Sequence, residues 1–127
     1  MKNNLNIKLD DSTNSSTSDS AKPAADIWKE YYENGQLMWK WPFVRGKSHG
    51  IKISYHKNGN LLFEIPYKNG KKHGTWKQYD ENGKLESETP YKNGKIHGIL
   101  KLYYKSGQLL KEEMWVNDHN VNKILQK

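Results

Sequence analysis

From residue 26 onward, apolar and polar residues alternate in short runs that glycines interrupt at regular intervals. Leu37, Trp39, Trp41 and Phe43 form one run; Leu61, Phe63, Ile65 and Tyr67 form the next. Two weaker copies follow, Leu85-Ser87-Thr89-Tyr91 and Leu109-Lys111-Glu113-Trp115. Between them lie Ile27-Lys29-Tyr31, Ile51-Ile53-Tyr55, Thr75-Lys77-Tyr79 and Ile99-Lys101-Tyr103, expected to pair with the first set on one shared face. A period of two marks strands with one face covered.

The runs recur every 24 residues. All ten glycines fall in three columns: Gly35, Gly59, Gly83 and Gly107; Gly46, Gly70 and Gly94; Gly50, Gly74 and Gly98. Pro42, Pro66 and Pro90 keep the same period, as do His49, His73 and His97. Each unit reads as two strands and two turns. Asn34-Gly35, Asn58-Gly59 and Asn82-Gly83, with Ser106-Gly107 in the last unit, predict tight two-residue hairpins. The motifs at 44–50, 68–74 and 92–98, with glycine at both ends, predict a longer turn containing a left-handed residue or a bulge. Proline is expected near strand ends, where its missing N–H is tolerated. The fold class is all-β: an antiparallel hairpin meander of about four units, residues 26–117, forming one elongated twisted sheet. Residues 1–25, rich in Ser, Thr, Asn and Asp, are expected to be a disordered polar tail. Residues 118–127 are expected to cap the array, as a short helix for which Asn117 or Asp118 would be the N-cap.

The pattern Tyr-x-x-Asn-Gly-x-Leu at Tyr79–Leu85, continued by Pro-Tyr-x-Asn-Gly-Lys-x-His-Gly at Pro90–Gly98, closely resembles the variant MORN repeat of bacterial proteins. The resemblance spans residues 26–118. It implies a β-hairpin array without a catalytic site, and many bacterial members are antitoxin-like or immunity-like. Eukaryotic MORN proteins are associated with membranes, lipid binding and scaffolds. Their spacing differs from the 24-residue unit here.

Composition narrows the function. Only 34% of residues are apolar, so a deep core is not expected, although fifteen aromatics supply buriable area. The net charge of +7 sits wholly on residues 26–127 and favours acidic partners or nucleic acid. Cysteine is absent, which excludes disulfides and thiolate chemistry. No apolar leader or long apolar run occurs, so the chain reads as cytoplasmic, with membrane binding the least favoured role. Repeated His residues would stand about 10 Å apart, two strand spacings, too far to share a metal. The adjacent acids Asp80-Glu81 and Glu112-Glu113 point to opposite faces of a strand and do not converge on a substrate. Glu64, Glu88 and Glu112 read as solvent-facing partners of lysine. No enzyme, metal or cofactor is therefore expected.

The binding candidates are the basic turns and the aromatics that break the repeat. Arg45, Lys47, Lys68, Lys71, Lys72, Lys92 and Lys95 are expected to line one end of the sheet, while Glu33, Lys57, Glu81 and Lys105 mix signs at the other. Trp39 is the candidate contact ring; Trp41 is read as sealing the first unit. The expected function is a binder that neutralises a protein partner, antitoxin-, immunity- or inhibitor-like. The alternative is an RNA- or ribonucleoprotein-binding protein, such as a phage-type inhibitor of a nuclease. An exposed edge strand would also offer a route to a homodimer.

Overall fold

A computed structural model describes residues 6–7 and 25–122. They form one antiparallel sheet. Eight long strands run in sequence order: β2 (Asp26–Tyr31), β3 (Leu37–Val44), β5 (Gly50–Tyr55), β6 (Leu61–Lys68), β8 (Gly74–Tyr79), β9 (Leu85–Lys92), β11 (Gly98–Tyr103) and β12 (Leu109–Val116). Four two-residue strands, β4 (Lys47–Ser48), β7 (Lys71–Lys72), β10 (Lys95–Ile96) and β13 (His119–Asn120), fold back on the ends of β3, β6, β9 and β12. The expected meander of four hairpin units is the observed fold.

Two ends of the chain differ from expectation. Within the polar tail, β1 (Asn6–Ile7) pairs with Trp28 and Lys29 of β2; the rest of residues 1–24 lies outside the described residues. At the other end, His119–Asn120 is a strand and the chain turns helical at Asn122, so the helix begins after the expected N-cap at Asn117 or Asp118. The Val121 amide donates to the Met114 carbonyl. Residues 123–127, where the expected helix would continue, lie outside the described residues.

The two kinds of turn are exchanged relative to the sequence reading. Asn69-Gly70 and Asn93-Gly94 have both residues at positive φ, between Lys68 and Lys71 and between Lys92 and Lys95, which pair directly. This is the two-residue hairpin geometry that matches strand twist. Arg45-Gly46 and Asn117-Asp118 adopt it too. The Asn34-Gly35 type of turn is the longer one. Gly35 N–H donates to Tyr32 O and Tyr32 N–H to Gln36 O, with only the glycine at positive φ. Asn34 Oδ1 accepts the Gln36 amide, so the Asn serves as a local cap.

The long turn ends in a register shift that changes the faces. After Glu30↔Trp39 the ladder slips to Tyr31↔Leu37, and the later units repeat the slip at Tyr55↔Leu61, Tyr79↔Leu85 and Tyr103↔Leu109. The Leu column therefore stands with the Tyr column. Trp39, Trp41 and Phe43 pair with Glu30, Trp28 and Asp26, so Ile27, Lys29 and Tyr31 belong to the other face. On that second face a line crosses all eight strands: Lys29, Lys40, Ile53, Glu64, Lys77, Glu88, Lys101 and Glu112. From Glu64 on it alternates in sign, which favours cross-strand pairing. The glutamates also serve tyrosines, because Tyr79 donates to Glu64 and Tyr103 to Glu88.

No second layer covers the sheet among the described residues. Among the described residues Ile65 is the one buried apolar side chain, and Ser48 and Ser54 are buried as well. Lateral stacking holds the units instead. Asn69, Asn93 and Asn117 donate their amides to Nδ1 of His49, His73 and His97 at 3.2–3.3 Å, each 20 residues back. An accepting Nδ1 places the proton of a neutral ring on Nε2. The amides of Gly70, Gly94 and Asp118 donate in parallel to Ser48 O, Lys72 O and Ile96 O at 2.8 Å. The His column is thus a stitch between successive turns. At the opposite end Asn34 and Asn58 reach the carbonyls of Lys57 and Glu81.

Candidate binding surface

The face that carries Trp39 holds two groups of rings. Trp39 meets Trp41 edge-on at 6.2 Å; Trp41 lies 5.1 Å from Phe43 and 5.6 Å from Tyr67; Phe43 touches Trp28. A second group follows, with Trp76 6.0 Å from Phe63 and 6.1 Å from Tyr91. The repeat builds three of these eight rings. Phe43, Tyr67, Tyr91 and Trp115 form one column, and glycine stands opposite the last three. At each of these glycines a Cβ would press on the proline of the strand before it, Pro42, Pro66 or Pro90. Gly74 shows how little room there is, since a Cβ on it would come within 2.9 Å of Pro66 Cγ. The other rings, Trp28, Trp39, Trp41, Phe63 and Trp76, are additions of particular units.

Two lysines lie on these rings. Lys52 Nζ sits 3.9 Å from the Trp41 ring centre and 5.2 Å from that of Trp39. Lys72 Nζ sits 4.7 Å from Trp76 and 4.9 Å from Tyr91. Ring faces are negative and hold an ammonium without hydrating it. Burial pushes Lys52 below its ordinary pKa, and the charge of Lys72 adds to the shift. Burial raises the phenols of Tyr67 and Tyr91. Trp41 Nε1 and Trp76 Nε1 are buried without a hydrogen-bond partner, an uncommon cost in a folded chain.

The turns next to this face form the basic end. Arg45, Lys47, Lys68, Lys71, Lys92 and Lys95 are exposed there. Lys72, expected among them, points onto the rings instead, because its position on β7 faces inward across Tyr67. Lys68 stands directly opposite Lys71, and Lys92 opposite Lys95. Like charges placed opposite each other repel, and an anion brought to the turns relieves them. The stacked amides fix the row, so the cations project from a rigid ladder. Trp39 stands on the ring face but toward the other end of β3, two residues after Leu37 and paired with Glu30 and Ser54, away from the Arg45-Gly46 turn. Trp41 does more than seal the first unit, since its ring carries Lys52. Sequence reasoning missed Lys52, Tyr67, Trp76 and Tyr91. The signal for Lys52 and Trp76 was available in a column that reads Trp28, Lys52, Trp76 and Leu100.

At the far end of the sheet lies an open pocket of about 330 Å³ lined by His56, Gln78, Tyr79, Asp80, Glu86 and Lys105 among others. Backbone amides, Lys84 foremost and then Asn82, hold the Asp80 carboxyl below its usual range. The acid there closes its own turn. No group of three or more metal-binding side chains occurs among the described residues. No helix there is long and apolar enough to cross a membrane.

No curated protein and no solved structure matches the chain. A family model described as the MORN repeat variant matches it four times, over residues 27–44, 48–69, 72–93 and 96–117.

Proposed function

Because the chain belongs to the MORN repeat variant family, whose repeats generally serve as binding modules without catalysis, we propose that it is a non-catalytic binder that captures and neutralises an acidic protein partner, in the manner of an antitoxin or immunity protein. The observation that carries the proposal is the ring face, eight aromatics from Trp28 to Tyr91, exposed at Trp28 and half-buried at the rest, on a sheet with no second layer among the described residues. A continuous apolar patch rimmed by charge marks an interaction surface. Aromatic anchors with cations beside them are the side chains that dominate binding energy. The six exposed cations of the turns supply long-range attraction toward an acidic surface.

A second reading, binding of RNA or of a ribonucleoprotein, draws on the same row of cations.

The test is a tagged pull-down from the native host lysate, divided into two halves, one treated with RNase and DNase. A specific protein retained in both halves is expected. It should be lost when Lys68, Lys71, Lys92 and Lys95 are changed to Glu, and lost again with Trp39→Ala. Co-expression of the full chain with that protein should suppress the protein's own activity. Recovery of nucleic acid alone would replace the first reading with the second.

A further inference from the structure

The two lysines on the ring face have no acid opposite them, unlike the later lysines of the sheet. Lys77 lies opposite Glu64 and Glu88, Lys101 opposite Glu88 and Glu112, and Lys111 pairs with Glu113 at 3.2 Å. Neither Lys52 nor Lys72 makes an ion pair or a side-chain hydrogen bond among the described residues. Each has three N–H donors and no acceptor of its own, so all its donors remain unspent.

Both also depart from their columns. The counterparts of Lys52 are Trp28, Trp76 and Leu100; those of Lys72 are Ser48, Ile96 and Asn120. The array folds with apolar or small residues at these positions, so nothing in the repeat calls for a cation. Yet two different columns each acquire a lysine in adjoining units. The fold brings them to neighbouring sites on one face, Lys52 across from Ile65 and Lys72 across from Tyr67, two residues further along β6.

We infer that Lys52 and Lys72 form an anion subsite at the centre of the ring patch, built to take a single carboxylate side chain that a protein segment presents between apolar residues. The rings hold both ammonium groups in place before the ligand arrives, which removes the ordering cost of two long side chains. Burial first, and then the charge of Lys72, depress the basicity of Lys52; a carboxylate that enters between the two lysines relieves their repulsion. Partial burial makes that attraction stronger than at an open surface. Trp41 and Trp76 supply flat apolar walls on either side.

The same face argues against a polyanion. Asp26, Glu30 and Glu113 lie on it, opposite Phe43, Trp39 and Leu100. A nucleic-acid strand crossing the patch would bring phosphates against these carboxylates, whereas a segment with one acid meets only the lysines. The inference rests on the reading of the ring patch as the partner surface and adds the chemistry of the group it receives.

The test uses the full chain, labelled with ¹⁵N, and the indole N–H signals of Trp41 and Trp76. The probes are an acetylated, amidated peptide Ser-Leu-Phe-Glu-Phe-Leu-Ser, its Gln-for-Glu twin, and a short oligothymidylate. The Glu peptide should shift both indoles and bind about tenfold more tightly than its twin, the worth of one charge-assisted contact. Lys52→Met or Lys72→Met keeps the apolar stem and should make the two peptides bind alike. Equal binding of both peptides to the unchanged protein, or absence of shifts with either, overturns the subsite. Stronger shifts of the same indoles by the oligothymidylate also overturn it. The subsite and the broader reading fail separately: partner capture lost in Trp39→Ala but intact in both Met variants refutes the subsite alone.

Discussion

The Tyr103 hydroxyl donates to Glu88 Oε1 at 2.6 Å, joining β11 to β9 across the second face of the sheet. The bond to Glu88, with burial and the charges of Glu88 and Glu112 adding, pushes the phenol from 10.0 up to about 12. A raised folded-state pKa stabilises the fold fully below the unfolded value and loses that contribution as pH rises through the folded one. The Tyr103 contribution is therefore intact below about pH 10 and disappears between about pH 10 and 12. Thermal melts across this range should fall more steeply for the unchanged protein than for Tyr103→Phe. At neutral pH the variant should be less stable by about 1 kcal/mol, the usual worth of one such bond.

The stitch from Asn93 N–H to His73 Nδ1 gives a local prediction. His73→Ala removes the acceptor and leaves the fold otherwise untouched, at a cost of about 1 kcal/mol. Hydrogen exchange should show the Asn93 amide losing protection, while Asn69, which is bound to His49, keeps its own.

Gly74→Ala should be among the most damaging single changes. Its φ of +120° strains any L side chain, and the new Cβ would press on Pro66. Gly35→Ala at φ +90° meets nothing within 4 Å. Urea unfolding should place Gly35→Ala about 1–2 kcal/mol below the parent, the cost of a left-handed residue, with Gly74→Ala lower still.

Ile65 is where the sheet comes closest to having a core, at 6% exposure. Ile65→Val should cost about 1 kcal/mol and Ile65→Ala at least about 2, measured by the same urea titration. A change of that size in a one-layer protein should lower the melting temperature by several degrees.

The long strands and the placing of every turn up to Ser106-Gly107 were legible because glycine, proline and histidine kept their period of 24, whereas the turn at Asn117-Asp118 was read as a helix N-cap. The identity of the turns was not. Both contain an Asn-Gly pair, and only the residues before it separate them. In Lys68-Asn69-Gly70-Lys71 the flanking residues pair directly; in Tyr32-Glu33-Asn34-Gly35-Gln36 the closing bonds reach back to Tyr32. The faces were misread for a related reason. Counting by twos from Leu37 passes through the register slip at Tyr31, and parity counted across a slip assigns the wrong side. The basic end could be found from the motif alone. The subsite could not, because Lys52 and Lys72 lie twenty residues apart in different columns, and only the pairing of β5, β6 and β7 shows them to be neighbours.

The stitches between turns also bear on how the chain reaches this state. Each long strand borders the long strand before it and the one after it, and the lateral bonds join residues 20–23 apart. All-β proteins usually fold slowly, because strands distant in sequence must find one another across long loops. Here no loop longer than one unit has to close. A hairpin that has just left the ribosome already has its docking edge in the hairpin before it, so the sheet can be laid down unit by unit during synthesis.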